Sequence, residues 1–201
     1  MGVMQDIPKL YTALAEWSSC LIFVLLLKRR WGRLATCFIM LASLAVLGAL
    51  QNWIGAAPIP LWIPGMAVAL LIMYGTMRLC CRESALDIGF YWAIAFIFAE
   101  FAASLEWQFY SFYSQGLGDS IWARAVFLCV FYGTMFYAAY VFQKKLLGKS
   151  RASHVTWKEV LSSGIIAVGA FLISNISYVY PNTPLSGQSR AEIFYIRTLV
   201  D

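Results

Sequence analysis

Charged residues are scarce in this 201-residue chain, in which lysine, arginine, aspartate and glutamate together make up only 12%. A soluble domain carries roughly a quarter of such residues. Apolar residues account for 61% of the chain, and a protein of this size has too little interior to bury them all. The composition therefore excludes a soluble monomeric domain and predicts an integral membrane protein.

Histidine occurs once, as His154, and the five cysteines show neither a CxxC spacing nor a Cys/His ligand spacing. Phosphate-binding glycine loops and the GxSxG motif of hydrolases are also missing. We therefore expect no metal site, no cofactor and no catalytic residue here, and interpret all five cysteines as small buried apolar residues. The basic residues form no stripe interleaved with exposed aromatics, so a nucleic-acid partner is not expected either.

Six apolar stretches are long enough to be membrane-spanning segments. In the hydrocarbon core a helix pairs its own backbone groups, and the alternating pattern of a barrel strand is absent. The sequence therefore predicts an all-α, polytopic helical bundle that forms one domain over residues 1–201. The predicted spans lie near residues 10–27, 34–50, 61–77, 88–110, 121–142 and 160–180.

Lysine and arginine concentrate in alternate connections between these stretches. Residues 28–33, 78–87 and 143–159 contain eleven of the fifteen basic residues. Positively charged connections resist translocation and stay in the cytoplasm. The pattern predicts a multi-pass protein of the cell membrane with its N-terminus outside.

Ionisable and amide side chains within the predicted spans are candidates for function, because they are expensive at membrane depth. Glu106 and Arg124 lie at similar depth across a short connection, which is consistent with a structural ion pair or with a ligand contact. Glu100 fits either a protonated carboxyl bonded to a neighbouring helix or the polar lining of a cavity. We predict that Glu100, Glu106, Arg124, Asn175 and Asn182 line or gate a ligand-binding cavity in the outer half.

Two segments near the C-terminal end carry a resemblance to a known family. They are residues 174–184, SNISYVYPNTP, and residues 192–201, EIFYIRTLVD, and residues 191–201 also read as the start of a seventh helix. The sequence of these segments resembles the N-terminal membrane sensor region of bacterial GHKL-type, Agr-like sensor histidine kinases. The resemblance implies a bundle of six or seven helices ahead of a cytoplasmic dimerisation helix and an ATP-binding domain, working as a homodimer. Neither a phosphoacceptor helix nor an ATP-binding motif occurs in this sequence.

Three functions are consistent with these features. The first is the signal-sensing domain of a two-component sensor kinase, embedded in the lipid bilayer and recognising an extracellular or membrane-dissolved small molecule or peptide. The second is a small transporter or channel that uses Glu16 and Glu100 as coupling groups. The third is a membrane peptidase that places His154 near Cys80 or Cys81.

Overall fold

The described part of the chain folds into six consecutive α-helices. A computed structural model describes residues 8–56, 59–113, 121–150 and 155–179. The predicted helical start at residues 191–201 lies outside this range. The all-α prediction is confirmed. The helices are α1 (Lys9–Leu26), α2 (Arg33–Ala56), α3 (Ile59–Cys80), α4 (Ala85–Tyr113), α5 (Ile121–Ser150) and α6 (Trp157–Val179).

Four segments among the described residues are long and apolar enough to cross a membrane. They are Lys9–Leu26, Arg33–Ala56, Ala85–Tyr110 and Ile121–Leu147, and Pro64–Cys80 forms a shorter apolar helix. These helices indicate a membrane protein.

Two helices run well past their predicted ends. Helix α5, predicted to end at residue 142, continues to Ser150. The other is α2. We expected the span to end at residue 50 and residues 51–60 to form a tight connection. Instead α2 continues through Gln51 and Asn52 to Ala56. Helices usually end at or before the residue that precedes a proline, and the proline that follows α2 is Pro58. The two amide residues are therefore helical, and Gln51 is buried.

Helices α1 and α4 occupy the centre of the bundle. Helix α1 contacts α2, α3, α4 and α5, and α4 contacts α1, α3, α5 and α6. The main core lies mostly between the first four helices and includes Leu47, Met73, Met77 and Ile88. Helix α5 is peripheral, because only 11% of its apolar segment is buried, against 50% in α4. Most of the apolar surface of α5 therefore faces the surroundings of the protein.

Two connections pair with each other at one end of the bundle, which we call the bridge end. The Arg30 N–H donates to the Cys80 carbonyl at 2.7 Å, and the Arg82 N–H donates to the Lys28 carbonyl at 2.9 Å. These bonds form an antiparallel bridge between Arg29 and Cys81. The bridge ties the end of α1 to the end of α3.

The beginnings of α4 and α6 also meet at the bridge end. Ser84 caps α4 by accepting from the Asp87 N–H at 3.1 Å, and Asp87 also accepts from the Val155 N–H at 3.2 Å. Thr156 donates its N–H and hydroxyl to Glu159, and these bonds lower the pKa of that carboxyl. Segments of all three basic connections therefore lie at the same end of the bundle.

The backbone bond from Arg82 gives a direct test of the bridge. Replacing Arg82 by proline is expected to lower the free energy of unfolding by about 1 kcal/mol, because proline has no N–H to donate to Lys28. Arg82→Ala is the matched control, since it removes the same charge and keeps the N–H. Unfolding of both variants by SDS in detergent micelles measures the difference, and equal stabilities would contradict the bridge.

Candidate functional site

Three glutamates lie inside the helical bundle, on its two central helices. Glu16 on α1 and Glu106 on α4 are 0% exposed, and Glu100 on α4 is partly buried. A carboxyl group removed from water needs hydrogen bonds or a counter-charge. The surroundings of each glutamate therefore determine what the cluster can do.

Glu16 is held by an amide on the neighbouring helix. Gln51 on α2 donates its Nε2–H to Glu16 Oε1 at 2.8 Å, and the same nitrogen lies 3.7 Å from the sulfur of Met66 on α3. The second oxygen, Glu16 Oε2, is buried and has no hydrogen-bond partner in the described part of the chain. Glu100 on α4 is close enough to act on Glu16 electrostatically. This junction thus joins two acids and one amide from three helices.

Small residues allow α1, α4 and α5 to approach one another near these acids. Ala15, Ala99 and Ala103 are buried in one cluster with Tyr132 from α5. The Tyr132 hydroxyl donates to the backbone carbonyl of Tyr11 at 3.0 Å. Tyr132 is also within electrostatic range of Glu100 and Glu106. The tyrosine therefore lies between the two acids of α4 and the start of α1.

Glu106 and Arg124 are brought within electrostatic range of each other. Arg124 donates its Nε–H to the Tyr110 hydroxyl at 3.3 Å, and its guanidinium carbon lies 5.1 Å from the centre of the Tyr110 ring. Among the described residues, neither carboxyl oxygen of Glu106 has a hydrogen-bond partner. Arg124 thus balances the charge of Glu106 while its guanidinium group rests on an aromatic ring.

Aromatic rings line this part of the site from three helices. Tyr11 meets Trp107 edge-on with 6.5 Å between ring centres, and Trp107 stacks on Tyr110 at 5.9 Å. Tyr110 in turn contacts Phe127 of α5 at 5.7 Å. A ligand that reached Glu106 and Arg124 would therefore meet a mixed surface of charge and aromatic rings.

Sequence reasoning identified part of this arrangement. The structure places Glu106 and Arg124 within electrostatic range of each other, and both Glu100 and Glu106 within range of Tyr132. Asn175 belongs to α6, but its side chain lies outside the described residues, and so does all of Asn182. Sequence reasoning missed three contributors, for which a polar residue within or beside an apolar stretch was the only signal: Tyr11, Gln51 and Tyr132.

The cysteines do not resemble a catalytic site. Cys20, Cys80 and Cys81 are buried as predicted, but Cys37 and Cys129 are exposed, so the prediction is wrong for these two. They lie on outward faces of α2 and α5, where a small apolar residue meets no other helix. Burial raises the pKa of Cys81 to about 12, the opposite of what a nucleophilic thiol needs. His154 lies outside the described residues, and within them no three His, Cys, Asp or Glu side chains could hold a metal ion.

Comparisons with family models, with curated proteins and with solved structures gave no match to this chain. The site is therefore interpreted from its own residues.

Proposed function

We propose that this chain is a membrane-embedded signal-sensing domain of a bacterial two-component sensor kinase. The observation that carries the proposal is the contact of Arg124 on α5 with Tyr110 on α4, beside the buried Glu106. It joins charged and aromatic groups from a central helix and a peripheral helix. A ligand that binds there would contact both helices at once.

A ligand can shift a protein only through unequal affinity for two arrangements of it. Helix α5 is suited to such a shift because little of its surface is buried. In our proposal the signal, a small molecule or a peptide, contacts Glu106 and Arg124 and changes the position of α5 against α4. The change then reaches a cytoplasmic kinase, and the receptor works as a homodimer in the lipid bilayer.

The sequence of residues 174–184 and 192–201 supports a sensor domain over other kinds of membrane protein, since it resembles the sensor regions of GHKL-type kinases. The charge pattern supports the proposed orientation, in which the bridge end faces the cytoplasm and the N-terminus lies outside. The same proposal includes six membrane crossings and ligand contacts by Glu100, Asn175 and Asn182.

A dose–response measurement tests the signal site. Transcripts that depend on this gene are followed in cells exposed to dilutions of conditioned medium. In Glu106→Gln and Arg124→Gln cells we expect the half-maximal dose to change about tenfold or more, because each loses a charged contact. Glu83→Gln is the control, since Glu83 lies in the connection at the bridge end. Unchanged doses in both variants, at wild-type levels of membrane-inserted protein, would reject the site.

Reporter tags test the proposed orientation separately. Tags inserted at Gly116 and at Gly148 are expected to be accessible from opposite sides of the membrane. Access to both tags from one side would reject the layout on which the sensor proposal depends.

A small transporter or channel is the second candidate, and the closeness of the Glu16 and Glu100 carboxyl groups favours it. Paired acids at membrane depth serve as proton or ion relays in transporters. Ion-dependent uptake into liposomes, abolished by Glu100→Gln, would support this function over sensing.

A further inference from the structure

Glu16 lies beside a second acid, and no basic side chain of the described residues acts on it electrostatically. Glu16 is 0% exposed, and its strongest charged neighbour is Glu100, which carries charge of the same sign. Two carboxylates in a low-dielectric interior cannot both ionise unless a cation joins them. Gln51 supplies one N–H bond to Glu16 Oε1, which is a dipole and not a charge.

A second polar side chain at the same place also lacks a partner. Ser19 follows Glu16 by three residues and so lies on the same face of α1. It is 1% exposed, and no described residue forms a hydrogen bond with its hydroxyl oxygen. Glu16 Oε2 is likewise buried and without a hydrogen-bond partner among the described residues. Buried polar atoms are nearly always bonded, so two such oxygens one helical turn apart point to a missing ligand.

We propose that Glu16, Ser19 and Glu100 form a binding site for a small monovalent cation between α1 and α4. Carboxyl and hydroxyl oxygens are hard ligands of the kind that such ions take in place of water. With one carboxyl ionised and the other protonated, a single positive charge balances the junction. Glu100 is also among the proposed signal contacts, but Glu16 and Ser19 are not, so the cation site does not depend on the proposed sensing function.

Protons compete for the same oxygens, so binding depends on pH. The groups that face the site are Glu100 from α4, Gln51 from α2 and, on α1 itself, Cys20. Tyr132 from α5 faces Glu100. Raising the pH removes protons from the carboxyl groups, so cation binding strengthens as the pH rises.

Thermal unfolding of the purified chain in detergent tests the site, with Na⁺ as the probe. We expect the midpoint to rise by about 2–4 °C between 0 and 300 mM NaCl at pH 8, relative to choline chloride at equal ionic strength. At pH 6 the rise is expected to be smaller. The rise should disappear in Glu16→Gln and shrink in Ser19→Ala, while the matched control Ser18→Ala keeps it.

Two outcomes would overturn the site. A midpoint that responds to pH but not to Na⁺ would mean that only a proton binds there. A Na⁺ effect that persists in both Glu16→Gln and Ser19→Ala would place the ion elsewhere. If Glu16→Gln does not fold, the comparison of Ser19→Ala with Ser18→Ala decides. Because the readout is stability of the purified chain, failure here leaves the dose–response test of sensing unaffected.

Discussion

Replacing Gln51 by leucine is expected to lower the free energy of unfolding by about 1–3 kcal/mol, because the buried Glu16 would lose its amide donor. Gln51 is itself 1% exposed, and its Nε2 lies 2.8 Å from Glu16 Oε1. Removing one partner of a buried pair leaves the other with its full cost of desolvation. SDS unfolding of the chain in detergent micelles measures the change.

The neighbouring residue provides the control. Asn52 follows Gln51 on the same helix but is exposed, so Asn52→Leu is expected to change the stability by less than about 0.5 kcal/mol. The double variant Glu16→Leu/Gln51→Leu should recover much of the loss, since replacing both partners by apolar groups is nearly neutral. A Gln51→Leu effect no larger than that of Asn52→Leu would contradict the contact.

Replacing Gly65 by valine is expected to destabilise the bundle by about 1–3 kcal/mol through overpacking between α2 and α3. A Cβ atom at Gly65 would lie 2.7 Å from Cγ1 and 3.1 Å from Cδ1 of Ile54, which is 1% exposed. Isoleucine is branched at Cβ and has few alternative rotamers, so it cannot move aside easily. The two helices would have to separate locally.

A second glycine of the same helix separates this effect from helix propensity. A Cβ at Gly75 would meet no atom within 4 Å, so Gly75→Val is expected to leave the stability nearly unchanged. Ile54→Ala creates space opposite Gly65. The double variant Gly65→Val/Ile54→Ala should therefore lose less stability than the sum of the two single changes. Additive losses would show that the residues do not meet.

The positions of the helices follow from the sequence because apolar stretches of about 20 residues have few other stable forms. The position at which α2 ends does not follow from the sequence in this way. Gln51 and Asn52 resemble loop residues when only local polarity is considered. The partner that makes Gln51 a core residue is Glu16, 35 positions earlier in the chain. Local pattern contains no information on such a pairing.

In the candidate site, too, some features could be predicted from the sequence and others could not. The nearness of Glu106 and Arg124 followed from equal depth across one short connection. The position of the Arg124 guanidinium on the Tyr110 ring did not, because it depends on the rotation of α5 about its own axis. Likewise, the burial of Cys80 and the exposure of Cys129 depend on which helix faces are covered. Apolar composition alone does not distinguish an inward face from an outward one.

Two backbone hydrogen bonds join the connections at the bridge end, where the α2–α3 hairpin begins and ends. Because both bonds join backbone atoms, substitutions other than proline keep the donors and acceptors of these bonds. Sliding α1 past α3 would have to break both bonds at once, whereas tilting α5 disturbs ring contacts and two side-chain bonds, from Tyr132 to Tyr11 and from Arg124 to Tyr110. The first three helices are thus tied together, whereas α5 is the least buried of the four long apolar helices.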